Sequence, residues 1–441
     1  MSSEVLDLVG AGIGPFNLSL AAQLDSIPDI KARFFDKRAA FAWHPGMLLP
    51  GAEMQTSFLK DLVTGTNPTS PWSFLSYLVK HKRFYQFLNA EYEAVPRREF
   101  AKYLEWVATG LKSLHFDTRV EDVRFNDSVF SVRVNGEEVK TRNLSVAVGK
   151  QPSMPDWVAS LPQRVFFHNS VAAERLGPLK ARRIAVIGGG QSGAEIVDAL
   201  LDANPDTSIY WISRRPNFEP LDATPFTNEL FTPGYMGCFH GLPEPLRLSH
   251  TQRQMLASDG ISASTLKKLY RRLYERKLEH SAGHEADISL CPYRDVVAAD
   301  YADGEIHLTM NNGFDQTTET VTVDALVLAT GYRFVLPEFL NSLHAPLAMN
   351  SLGDPVLERD FSLVWDGPNK NRIYVMNAGR HSHGIAEPQL SLAAWRSAVI
   401  ANSLLGRQHF DLTPPDAIVR WQAETGGELR SRDVEVVQAA E

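Results

Sequence analysis

Apolar positions along this chain alternate first and then recur every three to four residues. Residues 5–9 read as a strand that runs into a glycine-rich turn, and Leu18, Leu20 and Leu24 mark the helix after it. Residues 33–36 predict the next strand, which ends on Asp36. Phe100, Tyr103, Leu104, Val107 and Leu111 fall on one stripe and predict a helix over 99–111. Residues 129–134 alternate, Asn135-Gly136 turns the chain back, and a strand over 144–148 ends at Gly149.

The plan then repeats. A strand over 183–187 enters a second glycine-rich turn, followed by a helix through Ile196, Leu200 and Leu201. A strand over 208–212 ends in Ser213-Arg214-Arg215. Leu266, Leu269, Tyr270, Leu273, Tyr274 and Leu278 predict one face of a helix over 264–279. A meander over 305–323 feeds a strand over 324–328, which ends at Ala329-Thr330-Gly331-Tyr332. Residues 216–262 have scattered Pro and Gly and weak periodicity, so they read as an insertion lying over a site.

Composition narrows the function. The formal net charge is -8, with no separate basic block, which argues against a nucleic-acid partner. No apolar run is long enough to span a membrane. Glu4 and Asp7 interrupt the stretch before the first glycine turn, so no secretory leader is expected. The two cysteines, Cys238 and Cys291, have neither metal-site nor redox-motif spacing. A reduced, cytoplasmic protein without a metal site is expected.

The chemistry lies in the two turns. Gly10-Ala11-Gly12-Ile13-Gly14-Pro15 follows a strand and opens a helix. Gly10 permits the tight turn, and Gly12 lets a pyrophosphate approach the backbone. Pro15 is tolerated in the first helical turn. Asp36 is placed to accept hydrogen bonds from a ribose. The second turn, Gly188-Gly189-Gly190-Gln191-Ser192-Gly193, has the full dinucleotide spacing through Gly188, Gly190 and Gly193. Ser213, Arg214 and Arg215 stand where an acid would favour NADH, and their chemistry suits the 2′-phosphate of NADPH. Two such turns imply FAD and NADPH, with Thr330 and Gly331 as a later flavin contact. Without a Cys-x-x-Cys pair, disulfide reduction is excluded. Oxygen chemistry or simple electron transfer remains.

Three segments are more specific: 43–47 (Trp43-His44-Pro45-Gly46-Met47), 54–62 and 383–391. With them, the chain closely resembles the microbial N-hydroxylating flavin monooxygenases of hydroxamate siderophore synthesis, over about residues 4–425. The lysine and diamine branch is the nearest match. The resemblance implies that NADPH reduces FAD, dioxygen forms a C4a-hydroperoxyflavin, and the neutral terminal amine of L-lysine, cadaverine or putrescine takes up the distal oxygen. It implies Gln55 near the nicotinamide, Lys60 against the substrate, and Trp43 and Leu390 at the flavin. Asn228 matches an asparagine that holds ornithine in the ornithine branch. A second such asparagine is replaced by Ser258, which counts against ornithine. Duller roles stay open: Lys60 as an exposed helix lysine, Asn228 as a turn cap, Trp43 as packing. Two other functions also stay open, an uncoupled NADPH oxidase and a non-catalytic nucleotide-binding scaffold.

The expected architecture is α/β, with two Rossmann-like dinucleotide-binding domains and a smaller, mainly helical covering region. Residues 1–166 and 325–441 form the FAD domain. Residues 167–324 form the NADPH domain, with 216–290 over the substrate. The family resemblance implies a homo-oligomer, and the last dozen residues read as a mobile tail.

Overall fold

The computed structural model describes residues 4–126, 128–203, 206–279, 288–343, 345–414 and 418–423. The expected tail lies outside them. Strand β1 (Val5–Ala11) leads into helix α1 (Pro15–Leu24) and strand β2 (Ala32–Phe35). Helix α2 (Arg97–Gly110) precedes β3 (Leu114–His115), β4 (Val120–Asn126), β5 (Val129–Val134) and β6 (Glu137–Val146). The strand expected over 144–148 is thus the end of the longer returning arm of the hairpin. The sheet order is β3-β2-β1-β6-β5-β4, and the late strand Ile373–Val375 also pairs with β6. β1 runs parallel to both β2 and β6, so their carboxyl ends open on one edge.

The second unit holds β7 (Phe166–His168), β8 (Arg183–Ile187), helix α3 (Gln191–Ala203) and β9 (Ser208–Ile212). After helices α4 (Pro233–His240) and α5 (Ala263–Glu279) come β10 (Ile288–Cys291), the meander β11 (Arg294–Ala302), β12 (Glu305–Asn312) and β13 (Thr317–Val323), and β14 (Ala325–Leu328). The parallel order is β10-β9-β8-β14-β7. The chain passes between the units along two short strands, Gln151–Pro152 and Tyr332–Arg333, which pair antiparallel.

Local sequence explains most of this. α1 is buried on nearly every side, as an all-round apolar helix between layers must be. Its polar members have partners: Ser19 Oγ donates to Leu62 O and Gln23 Nε2 to Thr66 Oγ1. α5 departs from expectation. Leu266, Leu269 and Leu273 pack into the second core, whereas Tyr270, Tyr274 and Leu278 face solvent. Residues four apart drift around a helix, and the flank is closed by Lys268 and Arg272 pairing with Asp198 of α3. Short helices organise residues 216–262, in keeping with the expected mainly helical region. Leu230, Phe231, Tyr235, Met236, Phe239 and Ala257 join the core of the first unit.

A mostly buried ion pair joins α2 to α3 across the units. Arg97 of α2 makes two hydrogen bonds to Glu195 of α3, at 2.9 and 3.0 Å, with side chains 13% and 9% exposed. Breaking a mostly buried pair leaves a desolvated charge. Glu195→Ala should therefore lower unfolding stability by about 3 kcal/mol. Lys268→Ala, at an exposed pair, should cost under about 1 kcal/mol. Urea unfolding of both variants checks this, and equal losses would remove the bridging role.

Candidate active site: a cleft between two glycine turns

The first turn is built by close approach. A Cβ on Gly10 would lie 2.1 Å from the Phe34 ring. Gly12 has φ +86°, and its Cβ would come within 2.7 Å of Ala147 O. Gly14 is the N-cap of α1 and has no side-chain cap, and Pro15 opens the helix. The first helical N–H groups are therefore free to meet a phosphate. Asn17, unforeseen from sequence, is fully buried and ties the turn in place. Its amide donates to Gly12 O at 2.7 Å and its carbonyl accepts from Ser145 Oγ.

Asp36 stands at the end of β2, but Arg38 already clasps its carboxylate. The carboxylate accepts from Ile13 N–H at 2.7 Å and from Arg38 at 2.7 to 3.0 Å. Burial opposes its charge, yet these donors hold its pKa below the ordinary value. A ribose hydroxyl would share this carboxylate with Arg38.

The second turn repeats the principle. Gly188 has φ +135° and a Cβ position 2.2 Å from Ala329 O, and a Cβ on Gly193 would meet Gly188 O. Gly190 is freer, with Asp259 O at 3.6 Å. Gln191 accepts from Ser262 N–H at 2.8 Å and donates to Glu195 and Thr265. Ser192 lies in the first turn of α3. Ser213 is buried, and its Oγ accepts from Arg215 N–H. The two arginines differ. Arg215 reaches back to Gly189 O and Asp259 O, whereas Arg214 is exposed and its side chain makes no hydrogen bond or ion pair with a described residue. Thr330 and Gly331 lie at the crossing between units, bonded to Ser153.

The expected substrate residues differ in how they are held. Gln55 donates to Ser262 Oγ at 3.2 Å and to Gln191 Oε1 at 3.4 Å, which links its segment to the second turn. Lys60 is on a bend, not a helix, and is half-buried. Its Nζ lies 5.9 Å from the centre of the Phe231 ring, and burial lowers its pKa. It has no ion-pair partner among the described residues. Asn228 is exposed and does not cap the following turn. Ser258 accepts from Arg380 at 3.1 Å, and Arg380 also pairs with Asp259. Trp43 packs against Phe100. His44, with φ 44°, is accessible to water yet crowded. That crowding, with Arg97 and Arg38 nearby, pushes its pKa down to about 4, so it is neutral at pH 7.

Leu390 begins the turn before helix α6 (Ala393–Leu405). The loop before it is fixed by a fully buried pair, Glu387 with Arg396 of α6 at 3.0 Å. Glu387 also takes the N–H groups of Asn377 and Gly379, and Arg396 lies over Phe16 of α1. Sequence gave a faint signal for this pair, an acid and an arginine in an otherwise apolar stretch. Thr56 Oγ1 and Ser391 Oγ are buried without partners. Such orphaned buried atoms fit a bound polar group. Among the described residues, no cluster of three or more His, Cys, Asp or Glu is placed to hold a metal ion.

Comparison with known proteins agrees with this geometry. Residues 4–334 match the family described as L-lysine 6-monooxygenase/L-ornithine 5-monooxygenase. The chain belongs to that family. It is 42% identical to the L-lysine N6-monooxygenase of Escherichia coli, over 95% of this chain and 99% of the relative. The FAD-bound cadaverine monooxygenase of Erwinia amylovora superposes with TM-score 0.89 at 28% identity, covering 96% and 100% of the two chains. A Kutzneria ornithine N-hydroxylase, solved with reduced FAD, NADP+ and L-ornithine, gives TM-score 0.84 at 30% identity, covering 91% and 99%. The protein is thus an N-hydroxylating monooxygenase of siderophore biosynthesis with two Rossmann-like units. No described helix is long and apolar enough to cross a membrane.

Gly12→Ala should abolish FAD binding in a fluorescence titration, because its Cβ enters the backbone of the strand exit. Gly14→Ala should retain binding, since its Cβ meets nothing closer than 3.8 Å. Equal affinities would remove the close-approach argument.

Proposed function

We propose that this protein uses FAD, NADPH and dioxygen to hydroxylate the terminal amine of L-lysine in hydroxamate siderophore synthesis. The observation that carries this reading is the pair of glycine turns with the Gln55 segment hydrogen-bonded to the second of them through Gln191, and Lys60, five residues on, half-buried beside Phe231 without an ion pair. FAD belongs at the first turn, along Gly10, Gly12 and the start of α1. The loop fixed by Glu387 is tied to α1 through Arg396 over Phe16, and the hydroxyls of Thr56 and Ser391 are left unsatisfied within the protein. NADPH belongs at the second turn.

Flavin reduced by NADPH supplies the activated oxygen. The chain's residues bind, orient and desolvate. A lysine amine has a pKa of about 10.4 in water and must lose its proton to act as a nucleophile. The half-buried surroundings that lower the pKa of Lys60 would lower that of a bound amine in the same way. The positive charge of Lys60 adds to this effect. Asn228, with its side chain uncommitted, can turn toward a bound substrate.

The Arg pair divides two tasks. Arg214 is free for the 2′-phosphate, whereas Arg215 tethers the second turn to Asp259. Arg214→Ala should raise KM for NADPH several-fold and leave KM for NADH nearly unchanged. Arg215→Ala should raise both. Steady-state kinetics with each nucleotide tests this, and identical profiles for the two variants would refute the division.

A diamine is the second reading, favoured by the structural likeness to a cadaverine monooxygenase. Hydroxylamine formed per NADPH consumed, with L-lysine, L-ornithine, cadaverine and putrescine compared, decides between them. L-lysine should give the highest kcat/KM. A higher value for a diamine would replace lysine as substrate. No hydroxylamine from any amine would leave only an NADPH oxidase.

A further inference from the structure

Lys150 follows Gly149 where the chain leaves the first sheet and heads for the second. Two residues before it, Val148 Cα lies against the first turn, 2.9 Å from the Cβ position of Gly12. One residue after it begins the paired crossing of Gln151–Pro152 with Tyr332–Arg333. Lys150 is half-buried and makes no hydrogen bond or ion pair with any described residue. Burial lowers its pKa, and the charges nearest in effect are Glu387, Arg380, Asp259 and Asp354.

Each of these carboxylates is already engaged. Glu387 is held by Arg396, Asp259 by Arg380 at 2.7 Å, and Asp354 by His381 Nδ1 at 2.7 Å. A partly desolvated ammonium without a partner is costly. The surroundings also lead to both ligands of the cleft. The Asp259 carbonyl lies 3.6 Å from where a Cβ on Gly190 of the second turn would stand and accepts from Arg215, while its carboxylate and Ser258 share Arg380.

We propose that Lys150 receives an oxyanion brought into the cleft by a ligand, either the carboxylate of an amino-acid substrate or a phosphate of the second dinucleotide. This rests on the monooxygenase reading above for the identity of the ligands. Lys60 and Lys150 then form two separate cationic points, one beside Phe231 and one beside the domain crossing.

Lys150→Met keeps the length and apolar stem and removes the charge, and Lys150→Arg restores a charge. Both are made in the full chain loaded with FAD, with melting temperature and FAD stoichiometry as controls on folding. Calorimetric titration with NADP+, L-lysine and cadaverine gives the affinities, and kcat/KM is measured alongside. For a carboxylate, the Met variant binds L-lysine about tenfold or more weakly and cadaverine as before. For a phosphate, NADP+ weakens by a similar factor and the amines do not. In either case Arg recovers most of the loss. Unchanged affinity for all three ligands overturns the proposal, as does an Arg variant as weak as Met. If the unaltered protein binds NADP+ but hydroxylates no amine, the monooxygenase reading fails, and the NADP+ titration still judges Lys150.

Discussion

The pairing of Arg97 with Glu195 is the constraint on which the cleft depends. Arg97 comes from α2 in the first unit and also donates to Met47 O, so it fixes the 43–47 segment. Glu195 comes from the second unit and receives Gln191, which in turn holds Ser262 and meets Gln55. This mostly buried ion pair thus helps to set the separation of two glycine turns that belong to different sheets. Two ligands that must react with each other need such a fixed separation, because small misplacements are expensive in rate.

The segment between β9 and β10 works the same way. Helix α4 and its neighbours lie in sequence within the second unit, yet Tyr235, Met236 and Phe239 pack into the core of the first. Phe231, which carries Lys60 over its ring, belongs to this core as well. This segment is therefore fastened to both units. The crossing strands add a third fastening, with Gly331 O accepting from both Ser153 and His168.

Charge placement divides the cleft into satisfied and open positions. The acids near the domain junction have their own donors, and Arg38, Arg215, Arg380 and Arg396 are all spent on the protein itself. Lys60, Lys150 and Arg214 make no hydrogen bond or ion pair with any described residue. Ligands carrying carboxylates and phosphates would meet these three.

The sequence by itself determined both glycine turns, their strands and helices, the two-unit plan and the family. Those features rest on local rules: glycine where φ is positive or the backbone is approached closely, and apolar periods of two and 3.6. Tertiary structure decided the rest. Tyr270 and Leu269 are neighbours in one predicted stripe, and only packing against α3 left the first outside. Arg214 and Arg215 are equivalent in sequence, and only the position of Asp259 committed one of them. Asp36 reads as a free acceptor until Arg38 folds onto it, and residues 216–262 show little periodicity because their short helices are held by a core built elsewhere. Pairing and burial depend on residues tens to hundreds of positions apart, and no local pattern records those distances.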